Sequence, residues 1–206
     1  MMAAGQEWLA RRGAALALVG AAMACIGDTG QLWVVNAARP ELHLARAPAE
    51  AIVWATLLGT IGIPLYALGY CARALRAPRG GFALAAAGCA FAALGGAVHA
   101  ATGALIGANA PGIADGLAPL QGVLQSGPVS LSLWATAGIA FLVAGGAELR
   151  LCATWRERAT NPLLLTLAVS LGALLLDLPW RDFVGPAAIN LAHLAFFLRL
   201  SFERGG

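Results

Sequence analysis

The chain has no lysine and little charge of either sign: 13 arginines and 10 acidic residues in 206 positions, 11% charged in all. A soluble domain carries about a quarter charged residues. The shortage excludes an ordinary water-exposed surface over most of the molecule. The arginines form no continuous basic stripe, so no nucleic-acid partner is expected. The four cysteines, Cys25, Cys71, Cys89 and Cys152, make no C-x-x-C pair. That spacing argues against a thiolate metal site or redox pair and leaves small apolar packing residues. No serine or cysteine stands in a recognisable nucleophile motif, which argues against an acyl-enzyme. The three histidines make no H-x-x-x-H, H-E-x-x-H or E-x-x-H unit.

Apolar residues are abundant, at 60% of the chain and a mean hydropathy of +0.77. They fall into six runs near 14–36, 49–72, 82–108, 128–149, 161–180 and 183–202. Each approaches the ~20 residues needed to cross a bilayer's hydrocarbon layer. Without water to satisfy backbone groups, such runs must be helices. The expectation is therefore an all-α, polytopic integral membrane protein: one domain over 1–206, with six transmembrane helices in one bundle. The last two runs are short and separated only by Arg181 and Asp182, between Pro179 and Pro186. The first run follows Arg11 and Arg12 and resumes past Asp28 to Val35. It reads as a retained span and not a cleaved signal.

Arginine placement sets the direction. Arg11, Arg12, Arg73, Arg76, Arg79, Arg150, Arg156, Arg158, Arg199 and Arg204 fall on one side, against Arg39, Arg46 and Arg181 on the other. The positive-inside rule then puts both termini in the cytoplasm of a bacterium, with the bundle in its inner (plasma) membrane. Trp33, Trp54, Trp134, Trp155 and Trp180 lie toward span ends, as interfacial anchors do, and Trp8 suits a turn along the cytoplasmic surface. Gly88, Ala92, Gly96, Ala100, Ala104 and Ala108 line the third run at intervals of four. Such spacing lets helix backbones approach closely and makes this span central.

The few polar residues inside the runs are the functional signal, because ionisable groups in hydrocarbon are costly. Asp28, His99, Asn190 and His193 all fall at or outward of the bilayer centre, and the inward half shows almost nothing comparable. Gly27 and Gly30 flank Asp28 and are read as loosening the helix there. Asn190 and His193 share a helical face. Asp177, with Arg181 four residues on, reads as an ordinary helical ion pair, and Glu50 as a carboxylate suited to a helix N-terminus. Residues 109–127, rich in glycine and proline, form an outer connection able to cover the bundle's mouth.

These groups lead to a membrane-embedded enzyme acting by acid–base chemistry on a lipid-like or isoprenoid-like substrate. Asp28 is the acid, His99 and His193 the base or orienting groups, and Asn190 the oxygen-binding amide. No cofactor is expected; a metal held by His99, His193 and Asp28 is the minor alternative. The other readings are a small proton-coupled transporter, which at this size calls for a homodimer, and a non-catalytic membrane partner protein. Membrane lipids and a small lipophilic ligand are the expected partners.

Overall fold

The computed structural model describes residues 4–36, 49–77, 80–108, 127–175 and 181–203. Among these it is all-helical: α1 (Ala4–Asn36), α2 (Ala49–Gly62), a 3-10 turn (Ile63–Leu65), α3 (Tyr66–Arg76), α4 (Gly81–Ala108), α5 (Gly127–Leu151), α6 (Trp155–Ala159), α7 (Pro162–Leu175) and α8 (Arg181–Phe202). Three stretches are long and apolar enough to cross a membrane: Ala4–Val34, Glu50–Arg76 and Gly81–Gly107.

The bundle is built around two helices. α1 packs on α2, α3 and α8, and α4 packs on α2, α3 and α5. α7 lies against α8 and, more lightly, α5. The expectation that residues 82–108 are central holds, but α1 shares that place.

Glycine explains how close α1 comes to its neighbour. A methyl group at Gly13, Gly20 or Gly27 would collide with the carbonyl oxygen of Leu68, Gly62 or Ala55. The three recur every seventh residue, the repeat that keeps one seam facing one partner helix. Gly27 and Gly30 therefore do not break α1, which runs unbroken through Asp28. The expectation of a loosened helix there is corrected: backbone approach, not backbone freedom, is what these glycines supply.

The second apolar run is not one straight α-helix. Pro64 lacks an N–H and cannot bond to the carbonyl one turn earlier. The chain tightens into the 3-10 turn at Ile63–Leu65 and then resumes as α3. Gly80, with φ +78°, supplies the left-handed residue that turns the chain into α4.

The 150–160 connection is more ordered than its sequence suggests. Thr154 accepts a hydrogen bond from Glu157 N at 3.1 Å, and Glu157 accepts one from Ala153 N at 2.7 Å. This reciprocal cap starts α6. Asn161 caps α7, its side-chain oxygen accepting from Leu163 N at 3.0 Å and Leu164 N at 3.5 Å. Trp8, Trp33, Trp54 and Trp155 are exposed, as anchors require. Trp134's side chain, Trp180, Asp177, most of the 109–127 connection and the side chains of the 181–182 turn lie outside what is described.

The core sits where α1, α3, α4, α5 and α8 meet. Tyr66, Tyr70, Phe91, Phe141, Phe196 and Phe197 are buried together there, against Ala14, Ala17, Ala21 and Ala24 of α1. Small residues on α1 and large aromatic ones opposite fill the space without bringing the helices apart.

Candidate functional site

α1 presents Asp28 and Gln31 on one face, three residues apart. His99 comes from α4 and Asn190 from α8. Asp28 Oδ1 is 3.0 Å from His99 Nδ1. Asp28 Oδ2 accepts from Asn190 Nδ2 at 2.5 Å, and Asn190 Oδ1 accepts from the Tyr66 hydroxyl at 2.7 Å. Three of the four residues singled out in the sequence thus meet directly. Asp28 is 7% exposed, His99 5% and Asn190 4%.

The far edge of His99 is held as firmly. Its Nε2 lies 3.1 Å from the carbonyl oxygen of Ala55 and 3.1 Å from Gln31 Nε2. The two amide hydrogens of Gln31 have their own acceptors, His99 O at 3.3 Å and Thr56 Oγ1 at 3.5 Å. His99 Nε2 therefore donates to Ala55, and Nδ1 donates to Asp28. One proton lies between Nδ1 and Asp28 Oδ1, so the pair has no net charge and is tolerable in an apolar core. Gly59 makes room for it: the His99 ring occupies the space a side chain there would fill.

A cavity of roughly 310 Å³ adjoins this cluster. Asp28, Gln31, His99, Thr102 and Asn190 give it one polar side, and Ile63, Phe91, Val98, Ile106 and Phe141 make most of the rest apolar. An apolar chamber with a few convergent polar groups is the usual form of a small-molecule site.

His193 stands apart from the cavity. It is fully buried, its ring stacked between Tyr66 at 4.4 Å and Phe91 at 5.2 Å. Nδ1 donates to Ile189 O at 2.7 Å, which leaves Nε2 to accept from the Tyr70 hydroxyl at 2.7 Å. The ring joins the aromatic core and touches the Asp28 network only through Tyr66. Of the conceivable metal set, Asp28 and His99 come together and His193 turns elsewhere. Among the described residues, no three His, Cys, Asp or Glu side chains gather as metal ligands would.

A second buried polar cluster lies in the part of the chain where the sequence led to the expectation of almost nothing comparable to the first. Glu148 is 1% exposed. Its Oε1 accepts from Arg73 Nε at 3.2 Å and Asn161 Nδ2 at 3.0 Å, with Cys152 Sγ at 3.9 Å. Its Oε2 has no partner among the described residues. Tyr66, Tyr70 and Arg73 follow one another along α3, so polar groups continue from the cavity through Asn190–Tyr66 and His193–Tyr70 to Arg73–Glu148. Glu50, in the first turn of α2, is exposed and takes no part.

Sequence reasoning missed Gln31, Tyr66, Tyr70 and Glu148. Gln31 carried a signal, since it lies one turn from Asp28 in the same apolar run. Both tyrosines carried another, because a buried phenol hydroxyl needs a partner. Glu148 carries little signal in the sequence, since it stands at the end of an apolar run, where a carboxylate is normally wetted.

No protein-family model, no curated protein and no solved structure matches this chain.

Proposed function

We propose that the chain is a six-span protein of a bacterial plasma membrane, both termini cytoplasmic, and that it performs acid–base chemistry on a lipophilic substrate in the cavity beside Asp28. The observation that carries this reading is the Asp28–His99 pair set into the wall of an otherwise largely apolar chamber. Asp28 faces both its partner and the cavity. The proton given to a substrate oxygen or carbon is the one between His99 Nδ1 and Asp28 Oδ1, 3.0 Å apart; it passes through Asp28 and leaves a neutral imidazole beside a carboxylate. A proton taken from the substrate travels the opposite way. An isomerisation uses both steps and consumes no net proton. Asn190 holds the carboxylate at a fixed angle, and among the described residues its amide nitrogen donates to Asp28, with a second hydrogen to offer a substrate oxygen. His193 stiffens this arrangement by stacking on Tyr66, which in turn bonds Asn190.

The test works whatever the substrate is. Membranes carrying the wild type or Asp28→Asn are incubated in D₂O, and their lipid extracts are compared by mass spectrometry. Proton removal and return leave solvent deuterium in the product. A lipid species labelled or converted only with the wild type supports the reading. Identical extracts refute it.

A second reading, a proton-coupled carrier, has its own observation. The polar series Asn190–Tyr66, His193–Tyr70, Glu148–Arg73 leads away from the cavity along α3. A carrier moves a proton across sealed vesicles when substrate is supplied on one side; an enzyme does not.

A further inference from the structure

We infer that the cavity's ligand enters sideways from the hydrocarbon, through a gap between α5 and α8 at Gly138, and that it is a single-headed amphiphile with a linear or slender apolar body. This rests on the proposed reading of the site and specifies its route and substrate class.

Gly138 carries the argument because it belongs to two surfaces. It lines the cavity, and it is exposed on the outside of the bundle. A methyl group there would meet nothing within 4 Å. Ala137 and Phe141, its neighbours on the same wall, are 6% and 5% exposed. The wall is thus closed at Ala137 and Phe141 and open at Gly138. α8 contributes Ile189 and Asn190 to the same lining. Among the described residues, α5 and α8 do not pack on each other as neighbouring helices elsewhere in the bundle do, and α7, which lies on α8, touches α5 only lightly.

Depth decides which solvent fills the gap. α5 runs from Gly127 to Leu151, so Gly138 lies about one residue, or ~1.5 Å, from its midpoint. In a spanning helix that is the middle of the bilayer, far from water on either side. The outer surface around it agrees. Ile139 is 60% exposed, Val143 53% and Leu191, on α8, 58%. Water has no reason to enter such an opening, whereas an acyl or prenyl chain loses nothing by doing so.

The interior then fixes the ligand's orientation. Phe91, Val98, Ile106 and Phe141 offer only dispersion contacts, and the hydrogen-bonding groups stand together at Asp28, Asn190 and Gln31. A body without polar atoms lies in the first region, and one hydroxyl or similar head reaches the second. A molecule with polar groups at both ends would leave one unpaired in the apolar part, which costs several kcal/mol.

The experiment uses the full chain in lipid nanodiscs and a diazirine-bearing linear prenyl alcohol as probe. Photolabelling at timed intervals, read by peptide mass spectrometry, gives the rates at which the probe reaches Val98, Phe91 and Phe141 and leaves them on dilution. Gly138→Trp places an indole over the gap. Gly146→Trp is the control: Gly146 is likewise exposed with nothing within 4 Å, lies two turns further along α5, and does not line the cavity. With Gly138→Trp, entry and exit should both slow by about tenfold or more, and any intrusion of the indole on the cavity lowers only the final level of labelling. Gly146→Trp should leave both rates unchanged. Unchanged rates in Gly138→Trp, or a lower equilibrium level with unchanged rates, overturn the route and leave the site reading standing. A wild type that never labels the cavity walls overturns both.

Discussion

Replacing Asp28 in two ways separates its charge from its hydrogen bonds. Its carboxylate meets His99 Nδ1 at 3.0 Å and Asn190 Nδ2 at 2.5 Å. In Asp28→Asn, the new oxygen accepts from Asn190 and the new NH₂ faces His99. His99 then drops the proton on Nδ1 and keeps the one on Nε2 for the Ala55 carbonyl. Every polar atom remains paired, and the buried charges vanish together. Because desolvation largely offsets the attraction within a buried ion pair, this variant should fold within about 1 kcal/mol of wild type. In Asp28→Leu, Asn190 Nδ2 and His99 Nδ1 both face methyl groups. A buried group left unpaired costs about 1–3 kcal/mol. Interhelical hydrogen bonds in bilayers average nearer 0.6 kcal/mol, which favours the low end. The Leu variant should therefore lose about 2–4 kcal/mol relative to the Asn variant. Reversible unfolding in mixed micelles measures the difference. Nitrogen-15 NMR of labelled histidine reports the proton positions, and with only three histidines in the chain assignment by substitution is direct. His99 should show two protonated nitrogens in the wild type and Nε2–H alone in Asp28→Asn. Equal destabilisation by Asn and Leu, or a His99 Nδ1 that keeps its proton in Asp28→Asn, would refute the network as described.

Three further substitutions test the frame around the site. Asn161→Ala removes the α7 cap and a bond to the buried Glu148 carboxylate, so it should cost about 2–4 kcal/mol in the same unfolding assay; a loss under half that would mean solvent already reaches Glu148. Arg76 clamps α1 and α8 together, donating to Ala10 O at 2.6 Å and 3.1 Å and to Leu200 O at 2.6 Å. Arg76→Lys cannot reproduce that fork, and hydrogen exchange at the end of α8 should accelerate about tenfold while α4 stays protected. Gly59→Ala forces the His99 ring from its place, at about 1–3 kcal/mol and with loss of the His99 double-protonation signature.

Placement of the first three apolar helices is readable in this chain because apolar run length is a one-dimensional property. The three runs at 14–36, 49–72 and 82–108 overlap, to within one or two residues at one end, the stretches able to span a membrane. Convergence of Asp28, His99 and Asn190 was half readable: depth along each helix follows from rise per residue, but the direction a residue faces does not follow without knowing the neighbours. His193 shows the limit. It lies three residues from Asn190, on nearly the same face, yet one turn deeper the neighbours are Tyr66, Tyr70 and Phe91 in place of Asp28. Glycine misled in a definite way. At Gly27 the residue type alone fits a flexible joint or a close contact equally, and only the Ala55 carbonyl across the seam decides for contact. Pro64 was the opposite case, an overlooked signal with one mechanical meaning.

Asp28–His99 could serve only to fasten α1, α2, α4 and α8 together, and the cavity beside it is what argues for more. A void lined by side chains costs about 24 cal/mol for each Å³ left empty. Sealed and empty, the roughly 310 Å³ here would cost about 7 kcal/mol, comparable with the ~5–15 kcal/mol that holds an ordinary domain folded; open to the hydrocarbon at Gly138, it is instead space for an occupant. A fastening needs no such space, and the chain has the means to remove it: Gly138 stands at the wall with open room around it. Gly138→Leu would fill part of the void and raise helix propensity as well; Gly146→Leu, on the outer surface, would raise propensity alone. Propensity gives each about 1 kcal/mol. Burial of the leucine side chain adds about 1–2 kcal/mol more at Gly138. If the void is a site, Gly138→Leu gains that stability in ligand-free micelles and loses capture of the prenyl alcohol probe, the exchange expected when a binding space is sacrificed for packing. Equal stabilisation by the two leucines would show that no void exists beside Asp28, and the case for a ligand would fall with it.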